Sequence, residues 1–317
     1  MEPVLTLADL ETWARPGTSL AVLGHPIGHS ISPLMHNAAL AALAREQGRF
    51  ADWRYFRFEV QPADLPRALE RFHALRFAGL NLTVPHKALA VPLIDSVDDA
   101  ARPAGAVNTL RWSPRGWQGF NTDGYGLGSA LRETLGCEIA GAPVVLLGAG
   151  GAARGAAMEC LLRGCRELWI GNRTPDNLGR LLDLLRPLAG SIPLSGFRLE
   201  GAPPKAGETG PPASLPSGAI VINATSAGLQ PSDPLPFDLS RLPRPAGVYD
   251  MIYGPSGTPL LRQAAALGLP AADGLAMLVH QGAKALEIWT GIPADRTAPS
   301  LMAAAREALG RDRLPPS

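Results

Sequence analysis

The sequence predicts an α/β protein with two domains, the second built on a doubly wound parallel sheet. Strand-like and helix-like segments alternate in two successive runs along the chain. The second run opens at APVVLLGAGGAARGAAMECLLRG (142–164), a continuous apolar strand, a glycine turn and a helix. The length of 317 residues suits one large or two medium domains, and 46% hydrophobic content is ample for buried cores.

In the first run, LAVLG (20–24) reads as a short buried strand and 33–47 as a helix with apolar spacing. RYFRFEV (54–60) alternates like a strand, and 62–75 reads as a helix opening after Pro62. A strand then leads into Asn81-Leu82-Thr83-Val84-Pro85-His86-Lys87. Its apolar and polar residues alternate, which predicts one wet face, and Pro85 ends it because proline gives no N–H to a ladder.

A helix follows Asp123 to about Leu135. Beyond the glycine turn, RELWIGNR (166–173) is the next strand, 176–188 a helix and AIVINAT (219–225) another strand. AGVYDMIY (246–253) is strand-like, 257–267 helical and 269–271 a short strand. Residues 190–217 are rich in Pro and Gly, lack an apolar period and read as a flexible surface loop. Two apolar helices, 274–289 and 295–309, close the chain.

The net charge of +1 gives no electrostatic case for nucleic acid or an anionic membrane. Cys137, Cys160 and Cys165 match no zinc spacing, and an odd number cannot all pair. They read as buried apolar residues of a reduced, intracellular protein. The first residues carry acids and no basic leader, and no apolar run approaches the roughly 20 residues that span a bilayer. The expected location is the cytoplasm.

Several polar residues call for a role. In GHPIGHSISPLMHN (24–37), Ser30 and Ser32 lie two apart, so an extended backbone would send both hydroxyls to one side. Ser32-Pro33 also reads as an N-cap with proline at the first helical position. AVNT (106–109) and NTDG (121–124) add Asn108 and Asp123, and Asp123 has the alternative reading of a helix cap. Asn81, Thr83 and Lys87 would line one edge of a site with an amide, a hydroxyl and an amine. That set suits a small polyhydroxylated ligand with a proton to move, with an edge strand closing into a capped helix and a solvated lysine as the alternative reading.

These stretches, with LLGAGGAARG, GNRT, INATSAGL, YDMIYGPSGTPLL and DGLAMLVHQGAKALEIW, occur in the order found in the shikimate dehydrogenases. The chain resembles that family over about residues 20–290. The resemblance implies a substrate-binding domain of residues 1–122 and 274–317, with a Rossmann-like NADP-binding domain inserted at 123–273.

The residues support a dinucleotide site directly. Gly148 allows the tight turn, Gly150 lets backbone approach a pyrophosphate, and Ala153 replaces the third glycine. Gly148, Ala149, Gly150, Gly151 and Ala152 place helix N–H groups toward phosphates. At the end of the next strand stand Asn172, Arg173 and Thr174, where an NAD site usually has an acid. An arginine pairs with a 2′-phosphate and a carboxylate repels it, so the cofactor is read as NADP(H). The family often has a second basic residue where this chain has Asn177, and Arg180 is its candidate substitute. By resemblance Thr225, Ser226, Met251 and Gly274 also line the cofactor. For Met251, core packing is an equal reading.

The resemblance implies that Ser30 and Ser32 bind a shikimate carboxylate, that Tyr253 closes over it, and that Asn81, Thr83, Asn108 and Gln281 address hydroxyls. Gly274, Met277 and Gln281 fall on one helical stripe, which supports Gln281. The implied reaction is reversible hydride transfer between C3 of shikimate and nicotinamide C4. Alcohol oxidation needs a base and ketone reduction an acid. Lys87 is read as the proton-transfer residue and Asp123 as its partner, with no metal. His36 and His86 read as structural, and His25 and His29 are not placed as a helical metal pair because Pro26 and Gly28 intervene.

The expected partners are the small-molecule substrate alone, with no nucleic acid or membrane, in a monomer or homodimer. Two alternatives stand: a quinate or dual quinate/shikimate dehydrogenase, and a non-catalytic metabolite sensor on the same fold. Retention of Lys87, Asp123 and the glycine loop argues against the sensor.

Overall fold

The computed structural model describes residues 3–199, 215–230, 232–254 and 257–311. The chain divides into one unit of Met1–Tyr125 with Val279–Ser317, and a second of Gly126–Leu278.

The first unit is built on β1 (Ser19–Gly24), β2 (Arg54–Glu59), β3 (Gly79–Leu82), β4 (Ser96–Val97), β5 (Thr109–Ser113) and β6 (Gly116–Phe120). Their order across the sheet is β2-β1-β3-β5-β6-β4. β1 pairs in parallel with β2 and β3, whereas β3–β5 and β5–β6 are antiparallel. One face packs α1 (Leu7–Glu11) and α3 (Leu65–Ala74), burying Leu10, Phe72 and Phe77 with Leu23, Phe58 and Leu80. Strand side chains alternate between faces, so Tyr55, Arg57 and Asn81 point away from that cluster. α2 (Ser32–Glu46), α4 (His86–Leu89) and α10 (Ala294–Ala308) complete this unit, with α10 packed on α2. α5 (Asp123–Leu135) and α9 (Leu275–Thr290) each begin in one unit and end in the other.

The wet face expected for β3 is absent: all four of its residues are buried. Asn81 is buried because its amide is fully engaged inside the protein. The initial residues dock, with Leu5 bridging to Phe58 and Trp13 packed edge-on against Phe56 at 4.9 Å. A β5–β6 hairpin forms where only the flanking AVNT and NTDG motifs stood out in the sequence.

The second unit carries β7 (Pro143–Leu147), α6 (Gly151–Leu162), β8 (Glu167–Asn172), α7 (Pro175–Ala189), β9 (Leu194–Arg198), β10 (Ile220–Asn223), β11 (Gly247–Asp250), α8 (Pro259–Ala266) and β12 (Ala271–Asp273). The order β12-β11-β10-β7-β8-β9 is parallel throughout. The chain leaves β7 toward one edge and resumes on its other side at β10. The switch point therefore lies between the carboxyl ends of β7 and β10, where open α/β sheets bind ligands.

The expected loop at 190–217 is in part a strand. β9 pairs with β8, and Phe197 and Leu199 are buried. Gly196 weakens its pattern, and a Cβ there would stand 2.7 Å from Leu182 Cδ1 of α7, so the glycine lets that leucine pack close over the strand. Residues 200–214 of that stretch lie outside the described residues. Among the described residues, no helix is long and apolar enough to cross a membrane, and no group of three or more His, Cys, Asp or Glu is placed to hold a metal. Cys137, Cys160 and Cys165 are unpaired, the latter two buried.

Candidate active site

β3 ends at Leu82, and the turn Thr83–Pro85 hands the chain to α4, the short helix that carries Lys87. The buried His86 ring anchors the turn through a 2.9 Å contact between Nε2 and the carbonyl of Val60. Lys87 Nζ donates to Asp123 Oδ2 at 2.6 Å. The two side chains remain 32% and 24% exposed, so the pair is held yet open to a ligand.

Asn108 is the hub. Its Nδ2 donates to Asp123 Oδ1 and Thr122 Oγ1, each at 2.9 Å, and reaches Gln281 Oε1 at 3.4 Å. Its Oδ1 accepts from the Thr122 backbone N–H at 2.8 Å and the Thr109 hydroxyl at 3.0 Å. The orientation of this amide is forced, because a backbone N–H only donates and a carboxylate only accepts. Asp123 is not the helix cap weighed from the sequence. It is the first residue of α5, and Asn121 Oδ1 accepts the Asp123 N–H at 3.0 Å instead.

The Ser30 loop is placed beside this centre by strand pairing. Thr83 N–H donates to the Leu23 carbonyl and His25 N–H to the Val84 carbonyl. A Cβ on Gly24 would stand 2.5 Å from Thr83 Cγ2, so these turns touch. Arg57 is buried and donates to the carbonyls of Gly28 at 2.6 Å and Ser30 at 3.1 Å. The extended geometry expected at 30–32 does not occur: Ile31 has φ −89° and ψ 0° and is itself the N-cap of α2. Ser32 is thus the first helical residue, and Ser30 Oγ accepts its N–H at 3.3 Å. The buried His36 ring, one turn on, contacts the Ser32 carbonyl at 2.9 Å and stacks on Tyr55 at 4.1 Å. Burial pushes its pKa down to about 4, against the opposing backbone bonds to Ser32 and Gly282, so it is neutral at pH 7. Lys87, Asp123, Asn108 and Gln281 are thereby connected within the first unit, and Thr83 stands against Gly24, where the Ser30 loop begins. Asn81 spends its amide on Tyr55, Thr109 and the Asn108 carbonyl.

In the second unit the glycine turn follows β7 at the switch point. Gly148 has φ +114°, and a Cβ there would lie 3.0 Å from the Ala224 carbonyl oxygen. Gly150 is different: its φ is −86° and a Cβ would meet nothing within 4 Å. Protein packing does not require that glycine, and the first turn of the 12-residue α6 has no side-chain cap. Open space over uncapped N–H groups fits a pyrophosphate. Ala149 is half-buried, whereas Gly151 and Ala152 are exposed.

Arg173 is exposed after β8, and Asn172 Nδ2 holds the turn by donating to the Thr174 carbonyl at 2.9 Å. Arg180 donates to Asn177 Oδ1 at 2.5 Å. After β10, Asn223 Oδ1 accepts from Thr225 N–H and Oγ1, while Ser226 is exposed. Asn223 Nδ2 donates to the fully buried Asp250, which also accepts from Ile252 N–H and Thr258 Oγ1. Burial raises the Asp250 carboxyl above its usual range, while those three donors oppose the shift. This network fixes the turn holding Met251 and Tyr253. Gly274 belongs to it, since a Cβ there would lie 2.2 Å from the Met251 carbonyl oxygen.

Sequence reasoning missed Thr109, Thr122, Arg57 and Tyr55. Thr109 and Thr122 stood inside quoted motifs and are buried polar residues beside Asn108 and Asp123. Arg57 and Tyr55 carried no signal except two polar positions alternating with Phe56 and Phe58.

A sequence model described as the shikimate dehydrogenase substrate binding domain matches residues 22–110. Another, the shikimate 5′-dehydrogenase C-terminal domain, matches residues 274–298. A protein of Moorella thermoacetica named shikimate dehydrogenase (NADP(+)) is 41% identical over 275 residues, covering 86% of this chain and 88% of that protein. A crystal structure of shikimate 5-dehydrogenase from Thermus thermophilus in complex with NADP(H) and shikimate superposes with TM-score 0.74 at 33% identity, covering 92% of this chain and all of that one. The ligand-free 5-ketofructose reductase of Gluconobacter sp. strain CHM43 superposes with TM-score 0.75 at 30% identity, covering 92% and 99%. One fold thus carries more than one activity, and the substrate is argued from the site. By sequence and by structure, the chain belongs to the shikimate dehydrogenase family.

Proposed function

We infer that this chain catalyses the reversible NADP-dependent reduction of 3-dehydroshikimate to shikimate. The observation that carries the reading is the Lys87–Asp123–Asn108 arrangement: an amine held at 2.6 Å by a carboxylate that an oriented amide fixes from its other oxygen. Bound NADP supplies the hydride acceptor or donor at nicotinamide C4. Lys87 has three N–H donors, of which Asp123 takes one. Its ammonium gives a proton to the C3 oxygen in ketone reduction, and its amine takes that proton back in alcohol oxidation. Asp123 Oδ2 holds Nζ in place, and its remaining lone pairs are available to a substrate hydroxyl.

Ser30, Ser32 and Tyr253 are assigned to the carboxylate. Thr83 and Gln281 are assigned to ring hydroxyls, with Asn108 and Asn81 supporting the geometry. The turn at Gly148–Ala152 is assigned to the pyrophosphate, and Asn172, Arg173 and Thr174 to the adenosine 2′-phosphate. Thr225, Ser226, Met251 and Gly274 are assigned to the nicotinamide half. The reading extends to a cytoplasmic enzyme, supported by three unpaired cysteines, that works as a monomer or homodimer.

Absorbance at 340 nm tests the reading, with shikimate or quinate paired with NADP+ or NAD+. Rapid reduction is expected with shikimate and NADP+ only. Comparable turnover of quinate would favour the dual enzyme. Silence in all four assays, from folded protein that still binds NADPH, would favour the sensor.

A further inference from the structure

We propose that the Thr109 hydroxyl is a positioning group for proton transfer, acting through Asn108. The proposal rests on the shikimate dehydrogenase reading and deepens it. Five side-chain hydrogen bonds run unbroken from the core to the Lys87–Asp123 pair. Tyr55 O–H donates to Asn81 Oδ1 at 2.7 Å, and Asn81 Nδ2 donates to Thr109 Oγ1 at 3.1 Å. Thr109 Oγ1 donates to Asn108 Oδ1 at 3.0 Å, and Asn108 Nδ2 donates to Asp123 Oδ1 at 2.9 Å. Lys87 Nζ closes the series on Asp123 Oδ2 at 2.6 Å.

The direction of every bond is fixed by groups that have no choice. Asn81 Nδ2 also donates to the Asn108 backbone carbonyl at 3.1 Å, and a carbonyl cannot donate. Asn81 Oδ1 must then face Tyr55, so the Tyr55 phenol is the donor. Asn81 Nδ2 must likewise donate to Thr109, whose single hydroxyl proton goes to Asn108 Oδ1 at 3.0 Å, an oxygen that can only accept, rather than to Thr122 Oγ1 at 3.5 Å. Tyr55, Thr109 and Asn108 are 0%, 0% and 2% exposed, so water does not compete for these bonds.

Within this series Thr109 is the hydroxyl that both accepts and donates. It joins β2 and β3, through Tyr55 and Asn81, to the amide that sets the Asp123 carboxylate. A valine there keeps the shape and loses both functions. Asn81 Nδ2 would lose one acceptor, Asn108 Oδ1 one donor, and the carboxylate plane its rigid backing.

Full-length Thr109→Val, Thr109→Ser and Tyr55→Phe, assayed with shikimate and NADP+ and titrated with NADPH by fluorescence, test the proposal. Thr109→Val is expected to lose about 10- to 100-fold in kcat, the scale of a small misplacement of reacting groups, with NADPH affinity unchanged. Thr109→Ser restores the hydroxyl and is expected to stay near wild type. A purely volumetric role reverses that ranking, because serine is the smaller side chain, and such a result overturns the proposal. So does wild-type kcat in Thr109→Val. Should that variant fail to fold, Tyr55→Phe decides: a lowered kcat in folded protein supports the series of bonds, and an unchanged one overturns it. Wild-type protein that turns over no shikimate would instead sink the functional reading itself, a separate outcome.

Discussion

Asn108 Nδ2 donates to Asp123 Oδ1 at 2.9 Å, which leaves Oδ2 to hold Lys87 Nζ at 2.6 Å. Each carboxylate oxygen therefore has one assigned partner. A planar group held at both oxygens cannot rotate without breaking a bond, so the amine is aimed by the amide two bonds away.

Asp123→Asn tests this division of labour. An amide at 123 loses the charge and presents an NH2 to either Asn108 or Lys87. Turnover is expected to fall by about 100-fold or more, the scale of a disabled acid–base pair. Global stability should change little, because both side chains stay partly exposed. Steady-state kinetics and thermal melts on one preparation check both.

Gly148 and Gly150 make a contrasting pair. Gly148→Ala places a Cβ at φ +114° and 3.0 Å from a carbonyl oxygen, which is expected to destabilise by about 1–3 kcal/mol. Gly150→Ala meets no protein atom within 4 Å and keeps an ordinary φ of −86°. It is expected to leave the melting temperature unchanged and to weaken NADPH binding by about tenfold or more, one lost charge-assisted hydrogen bond or its equivalent. Differential scanning fluorimetry with and without NADPH separates the two glycines.

Arg173→Gln is expected to weaken NADPH by roughly 10- to 100-fold, the value of a charge-assisted contact to a phosphate, and to leave NADH unchanged. Arg173 is exposed, so the fold should not suffer. Arg180 bonds Asn177, and Arg180→Gln is expected to have the smaller effect. Fluorescence titrations with both nucleotides rank the two arginines.

His36 makes the fold sensitive to acid. Its pKa falls from 6.5 in the unfolded chain to about 4 in the buried ring. Between those values the unfolded chain binds more protons, so stability is full above about pH 6.5 and declines as pH falls toward about 4. At about 1.4 kcal/mol per pKa unit, the loss approaches roughly 3 kcal/mol. His86 is shifted the same way by burial and adds to the trend. Urea unfolding at pH 7 and pH 4.5 measures it, and His36→Gln is expected to flatten the dependence.

The legible residues were those whose chemistry is local. The strand, glycine turn and helix at 143–162 announce themselves within one segment, and Gly148 keeps the role that its spacing implied. Lys87 and Asp123 were found as parts of short motifs. Thr109 was not, because its meaning comes from Asn81 on the neighbouring strand and Tyr55 two strands further away. Such pairings depend on register, which one strand alone does not encode. Asn81 was misread for the same reason: alternation in β3 signals two kinds of neighbour, and here the polar face meets buried polar partners rather than water. β9 was hidden because Gly196 breaks its pattern beside a Pro- and Gly-rich stretch, although Leu182 of α7 packs close over that glycine.

Lys87→Ala, studied beside wild type across pH, is the decisive test of Lys87 as the proton carrier. Its kcat is expected to fall by about 100- to 10,000-fold, the range for loss of a general acid–base group, with the pH dependence altered. Shikimate and NADPH binding by the folded variant should persist, because the other named contacts remain. Full turnover with an unchanged pH profile would contradict the assignment of Lys87 as the proton carrier.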